Sequence, residues 1–223
     1  MKKLIQRLTV CAAAVLATAP AWAQSKVQVQ WLGQAAFKIT STAGKVIVID
    51  PWLITNPKTP EQYRKLDALG KVDLVLVTHG HNDHINAAVE LGRATGAEIW
   101  FPPADRMLWD AEHDTPPDQE LHSGATFEVA GTTLRAISTP GHSPGSTCLY
   151  APDLGAVFSG DTLFNGGPGA TGRSYSDFPT IIESIQERLL TLPDETIVHT
   201  GHGDDTTIGT EKPHLHDWIT RGS

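Results

Sequence analysis

The stretch Val72-Asp73-Leu74-Val75-Leu76-Val77-Thr78-His79-Gly80-His81-Asn82-Asp83-His84 decides how the chain folds. Its first part is a mostly apolar run, the signature of a strand buried on both faces of a sheet. The run delivers the backbone directly into His79, His81, Asp83 and His84. Neutral imidazole nitrogen and carboxylate oxygen are the donors that Zn²⁺ and other borderline divalent ions prefer. In an extended loop, residues two apart point the same way, so His79 and His81 can converge on one ion. Asp83 and His84 come after the chain has begun to turn and face a different point. One loop can therefore serve two ions. Asn82 is the expected N-cap of the helix that follows.

Working outward, Ile85 to Thr95 has helical character with Gly96 as its stop, and Glu98 to Phe101 returns as a strand. This is a strand-helix-strand unit with its histidines at the carboxyl end of the first strand, where open α/β sheets place their sites. Upstream, Val27 to Leu32, Ala36 to Thr40 and Lys45 to Asp50 read as a meander of strands ending at Pro51. Pro102 to Asp118, with two proline pairs, reads as a loop-rich interval too short to divide domains. Downstream, Thr126 to Val129, Thr132 to Ser138, Ser146 to Tyr150 and Ala156 to Ser159 are short strands. A helix is expected from about Pro179 to Leu192, then a last strand from Thr196 to Thr200. Two similar halves, each with strands and helices, predict an α/β architecture of two sheets packed face to face with helices outside.

Residues Met1 to Ala23 read as a cleavable secretory signal. Lys2, Lys3 and Arg7 form a positive start, Leu8 to Ala19 an apolar centre, and Ala21-Trp22-Ala23 a small-x-small cleavage site. The apolar centre is short of the ~20 residues that span a bilayer, so a periplasmic or secreted protein with no membrane anchor after cleavage is expected. Residues 24–223 then form one catalytic domain. Of the two cysteines only Cys148 remains, so no internal disulfide is expected. The leader takes three basic residues with it, moving the net charge from −8 to −11. So acidic a surface disfavours nucleic acid, whose phosphates need clustered Lys and Arg. The expected partner is a small-molecule substrate.

Three further polar residues sit just past strands: His142 in Thr139-Pro140-Gly141-His142-Ser143-Pro144-Gly145-Ser146, Asp161 in Ser159-Gly160-Asp161-Thr162, and His202 in Thr200-Gly201-His202-Gly203. Each follows a glycine, which lets the backbone turn tightly and bring the next side chain into a crowded centre.

With these in place the sequence resembles the metallo-β-lactamase superfamily, whose pattern is His-x-His-x-Asp-His followed by a later His, Asp and His. The resemblance implies a four-layer αβ/βα sandwich. It implies that His79, His81 and His142 hold a first metal, that Asp83, His84 and His202 hold a second, and that Asp161 bridges them. From Thr139 onward the motifs are similar to glyoxalase II-like hydrolases, which cleave hydroxyacylglutathione thioesters. Trp31-Leu32-Gly33-Gln34-Ala35-Ala36-Phe37 and Ile49-Asp50-Pro51-Trp52 are more similar to the superfamily's lactonase-like branch.

The implied function is an exported dinuclear hydrolase of a small thioester, ester or lactone, acting through a hydroxide shared by two divalent ions, Zn²⁺ first and Fe²⁺ or Mn²⁺ as alternatives. Asp83 and Asp161 are its catalytic carboxylates, and Asp161 can also accept a proton from the shared water. Two other activities stand beside it. One is a persulfide dioxygenase-like oxidoreductase with one iron on His79, His142 and Asp161, and the other a β-lactamase, against which Asp161 counts. Arg173, in Gly172-Arg173-Ser174, is a candidate for a substrate carboxylate. Lys212 nears the site only if the C-terminal segment folds back. Trp31, Trp52 and Trp109 can wall a pocket, although core packing is the default for each. His199 is expected to face away from His202 or to support it from behind. His113, His122, His214 and His216 read as surface residues, and Cys148 as a small buried apolar one.

Overall fold

The computed structural model describes residues 26–129 and 131–222, so the expected leader lies outside the described residues. In the first half, β1 (Gln28–Gly33), β2 (Ala36–Thr40) and β3 (Val46–Ile49) form the antiparallel meander. β4 (Leu74–Leu76), β5 (Glu98–Phe101) and β6 (Gln119–Glu120) then add in parallel, giving the order β1-β2-β3-β4-β5-β6.

The helix expected from Ile85 to Thr95 is split into α1 (Asn82–Ile85) and α2 (Ala88–Thr95). The break falls at Ala87, whose N–H donates to the carbonyl of Pro51 at 3.2 Å instead of to the preceding turn. The cap position of α1 is His81 and no side chain caps it, so Asn82 is inside the helix and not its N-cap. Gly96 ends α2 in the left-handed conformation, φ 74°, as expected of that residue. The loop-rich interval holds α3 (Arg106–Glu112). That helix forms around one buried anchor, Trp109, whose indole donates to Thr115 O at 2.8 Å. One apolar contact in two turns leaves no periodicity for a sequence reading to detect.

The second half contains β7 (Thr126–Val129), β8 (Thr132–Ser138), β9 (Thr147–Ala151) and β10 (Ala156–Gly160), then a small ribbon of β11 (Leu163–Phe164) and β12 (Gly167–Pro168). With β13 (Ile197–Thr200) and β14 (Thr206–Thr207) the sheet order is β14-β13-β10-β9-β8-β7. The helix expected from Pro179 to Leu192 is α4 (Phe178–Ser184) continued by a π-helical turn over Ile185–Leu189. The chain then adds α5 (Ile208–Glu211) and α6 (Leu215–Arg221).

Strand periodicity sorts the apolar side chains into three buried layers. On β3, Val46 and Val48 face one way, where they meet Ile85, Leu91 and Trp109, while Ile47 and Ile49 face the other, toward Leu134, Leu149 and Phe158 of the second sheet. On β10 and β13, Val157 and Val198 point out to Ile181, Ile185, Leu189 and Trp218. Helix on sheet, sheet on sheet and sheet on helix make the four-layer αβ/βα sandwich that the resemblance implied. Each fully buried Ile, Leu or Val in these layers contributes about 1.5–3 kcal/mol by leaving water.

Candidate metal centre

All seven residues named from the sequence come together at one rim of the sandwich. The strands before His79, Asp161 and His202 (β4, β10 and β13) run into it, as does β8 before His142, which is parallel to β10 because both pair antiparallel with β9. His79 Nε2 lies 3.0 Å from His81 Nδ1, which lies 2.9 Å from His142 Nε2. Asp83 Oδ2 is 3.2 Å from His202 Nε2. Asp161 stands between the two groups. Its Oδ1 is 3.3 Å from His84 Nε2, and its Oδ2 is 3.5 Å from His142 Nε2 and 3.6 Å from His202 Nε2. Ligand atoms within 4.8 Å of one another group as His79, His81 and His142, as Asp83, His84 and His202, and as His79, His84 and Asp161.

The rings are aimed by partners behind them. His142 Nδ1 is 2.8 Å from Ala170 O, which places the proton on Nδ1 and leaves the Nε2 lone pair for the centre. His84 Nδ1 is held the same way by Asp50 Oδ2 at 2.9 Å. Asp50 also accepts from Thr78 N and Thr78 Oγ1, both at 2.7 Å, and so ties the turn out of β4 to the ring in α1. It does this at φ 45°, a left-handed conformation that costs an L-residue of order 1–3 kcal/mol and persists because those bonds over-determine it.

Asp105 is the other buried support. Its Oδ2 accepts from Gly80 N at 2.9 Å and Ser143 Oγ at 2.6 Å, and its Oδ1 from Gly145 N at 2.6 Å. It thereby joins the turn carrying His79 and His81 to the turn carrying His142. Neither aspartate's role is visible in the sequence pattern. Asp50 merely ends a strand, and Asp105 sits in what read as loop. The one available signal was at Asp50, a carboxylate between the buried Ile49 and Pro51, since a buried charge has to be partnered.

The glycine before His202 does more than turn the chain. A Cβ on Gly201 would collide with Asp161 Oδ1, so glycine at this place makes room for the central carboxylate. Gly141 has a comparable constraint. Its φ is 135° and a Cβ would run into the backbone of Ile181.

The charges sort in the same pattern. Burial pushes His79 well below the usual histidine range, helped by the positive potential of His84 and His142, so its ring is neutral. Burial and His142 lower His81 in the same direction. For His84 burial works downward too, but the Asp161 and Asp50 carboxylates outweigh it and hold the ring well above its ordinary value. Burial alone would raise Asp161 and Asp83. The His84 charge overrides it for Asp161, and the hydrogen bond from His202 for Asp83, so both are lowered.

A family model for the metallo-beta-lactamase superfamily matches residues 30–202, a span that contains all seven of these residues. The chain belongs to that superfamily. Among curated relatives it is 60% identical over 78 residues to a metal-dependent hydrolase of Cupriavidus taiwanensis, an alignment covering 35% of this chain and 27% of that protein. The chain thus spans about a quarter of the length of that relative. It is 34% identical over 170 residues to hydroxyacylglutathione hydrolase GloC of Haemophilus influenzae, covering 68% of this chain and 80% of that one. Among solved structures, one determined in a di-iron-bound form superposes with a TM-score of 0.68 at 31% identity, covering 84% of this chain and 96% of its own.

The residues fit the divalent ions of that superfamily. Among the described residues, His84 Nε2 and Asp161 Oδ1 are buried polar atoms without a hydrogen-bond partner, and they face each other. A buried orphan polar atom costs about 1–3 kcal/mol, and two at one point make sense as donors to a cation. Three imidazole nitrogens converging beside them are the N-donor set that zinc and its neighbours take.

The other residues singled out from the sequence fall in different places. Trp52 walls the site, its ring centre 6.2 Å from that of His202. Trp109 is core, and Trp31 lies half exposed on β1. Arg173 is exposed three residues past Ala170, and no hydrogen bond or ion pair joins its guanidinium to the cluster. Lys212 pairs with Asp194 at 3.1 Å rather than closing over the centre. His199 turns away from the metal side and stacks on Phe158. His122, His214 and His216 are exposed as expected, while His113 is only half-buried. Its Nε2 is 2.9 Å from Ile85 O and its ring packs on Trp109.

Cys148 is fully buried, and burial pushes its thiol up to about 11 against the opposing hydrogen bonds of Thr139 and Thr162. The thiolate is the reactive form, so iodoacetamide at pH 8 is expected to leave Cys148 unmodified in the folded protein and to alkylate it in urea. Peptide mapping by mass spectrometry reads the difference. Rapid native modification would mean that β9 opens in solution.

Proposed function

We propose that this protein is a dinuclear metal-dependent hydrolase that cleaves a small thioester, ester or lactone, and that it is exported with a cleaved leader. The observation that carries the reading is the place of Asp161, with one carboxylate oxygen facing His84 and the other facing His142 and His202. A carboxylate so placed can serve two ligand sets at once. His79, His81 and His142 would hold one ion, and Asp83, His84 and His202 the other. When bound, the ions supply hydroxide at neutral pH and polarise the carbonyl under attack.

The chain's own residues do the rest. Neutral His79 and His81 offer lone pairs without first losing protons. Asp161 is able to accept the proton released as the nucleophile forms. Trp52, beside His202, gives the substrate an apolar wall. The similarity to a hydroxyacylglutathione hydrolase supports a thioester. The acidic surface supports a small molecule over nucleic acid, and no helix among the described residues is long and apolar enough to cross a membrane.

Metal analysis of the purified protein, combined with a panel of thioesters, lactones and β-lactams, tests the reading. Two zinc ions per chain and turnover of a thioester or lactone are expected, and Asp83→Ala is expected to lose one ion and most of the turnover. One iron per chain with oxygen consumption would replace the hydrolase with an oxidoreductase. An Asp83→Ala variant of unchanged activity would rule out a dinuclear centre.

A further inference from the structure

Between the edge strand β1 and the end of β13 beyond its pairing with β14 lies a cavity of about 450 Å³ lined by Val29, Trp31, Phe37, His199, Thr200 and the turn Gly203 to Asp205. His202 is absent from its walls, so it is separate from the metal centre although the two share one turn. Its size lies in the range of small-ligand pockets.

Its walls are held in place. Trp31 is 50% exposed, yet its indole N–H donates to Gln34 O at 2.8 Å, which fixes the ring against the hairpin between β1 and β2. His199 stacks on Phe158 with ring centres 5.0 Å apart and planes inclined by 29°, and its Nδ1 is 2.8 Å from Asp205 Oδ2. Among the described residues its Nε2 has no hydrogen-bond partner, on a side chain that is only 17% exposed. Asp204 adds a second carboxylate, and no lysine or arginine lines the space. An indole face and carboxylates without a basic residue suit a cation, since ammonium groups are attracted to aromatic faces, tryptophan best of all.

We infer that this cavity is a binding site for an organic ammonium carrying an apolar body, the body against Val29 and Phe37 and the ammonium between the Trp31 indole face, Asp204 and His199. The inference is independent of the hydrolytic reading, because no metal ligand takes part in it.

The test is NMR of the metal-loaded protein, following the indole N–H of Trp31, assigned by its loss in Trp31→Phe. Titration with 2-phenylethylammonium is expected to shift that resonance saturably, while 3-phenylpropanoate, of similar shape and opposite charge, leaves it unmoved. Asp204→Asn, on an exposed turn, is expected to weaken the ammonium about fivefold, the scale of an exposed charge pair. His199→Phe, which keeps the stack and removes the acceptor, is expected to weaken it as well. No shift of Trp31 at 20 mM, equal binding of the carboxylate, or unchanged affinity in both variants would overturn the assignment.

Discussion

Asp161→Ala is expected to lower hydrolytic turnover on the order of 10³-fold or more and to cut metal content from two ions per chain toward one. The carboxylate is largely buried and lies between His84, His142 and His202. Removing it withdraws the central negative charge from the ring cluster and leaves His84 with only Asp50 to balance it. The ion-borne stabilisation of a carbonyl transition state is worth several kcal/mol, and about 1.4 kcal/mol is a factor of ten, so the loss of one ion accounts for three decades. Asp161→Asn separates charge from shape. It keeps the volume that Gly201 was left bare to accommodate, and it is expected to lose nearly as much turnover as alanine. Elemental analysis alongside initial rates reads both variants. Two ions retained, with turnover within tenfold of the wild type, would show that Asp161 is neither bridge nor proton acceptor.

Much of this centre was legible in the sequence because imidazoles and carboxylates are metal-ligand types, and here they cluster just past strands that end at one rim. The run from Val72 to Thr78 announced its strand by composition, and Lys45 to Asp50 announced another that ends at Pro51. What stayed hidden lacks a local signature. α3 depends on a single buried tryptophan. The break between α1 and α2 depends on Pro51, which is distant in sequence and reaches Ala87 only once the sheet has formed. Arg173 was a candidate for a substrate carboxylate, and sequence proximity to the later motifs does not specify side-chain direction; the residue is exposed, with no hydrogen bond or ion pair to the cluster. His113 read as surface for want of a motif, although a histidine can satisfy a helix-end carbonyl such as Ile85 O without one. Asp50 and Asp105 were missed for the same reason in sharper form. Their partners are backbone N–H groups, hydroxyls and, for Asp50, the His84 ring, all contributed by segments far along the chain, so nothing in the neighbouring sequence marks them.

Asp105 gives the second large expected effect, one that is selective between the two ligand sets. Its carboxylate takes three hydrogen bonds, from Gly80 N, Ser143 Oγ and Gly145 N, and no side chain of the centre itself. The two glycines are there to admit it. A Cβ on Gly80 would stand 3.0 Å from the Asp105 Cβ and 2.7 Å from that of Leu108, and a Cβ on Gly145 would stand 2.7 Å from the Asp105 carboxyl carbon. In Asp105→Asn one acceptor oxygen becomes a donor amide, so at least one buried N–H or hydroxyl loses its partner, at a cost of about 1–3 kcal/mol. The turns bearing His79, His81 and His142 then lose their common anchor. Supports of this kind typically govern metal affinity by 10–100-fold, and that loss is expected for the His79, His81 and His142 set. The Asp83, His84 and His202 set leans on Asp50 instead and is expected to keep its ion. Competition against a chelator of known affinity measures the two binding steps, and excess metal is expected to restore turnover in Asp105→Asn. Asp50→Asn strikes the support of His84 directly and, through Thr78, the turn that carries His79, so it is expected to weaken the Asp83, His84 and His202 step most and the other step less. If both variants weaken both steps equally, the two aspartates stabilise the fold in general and do not each position one side of the centre.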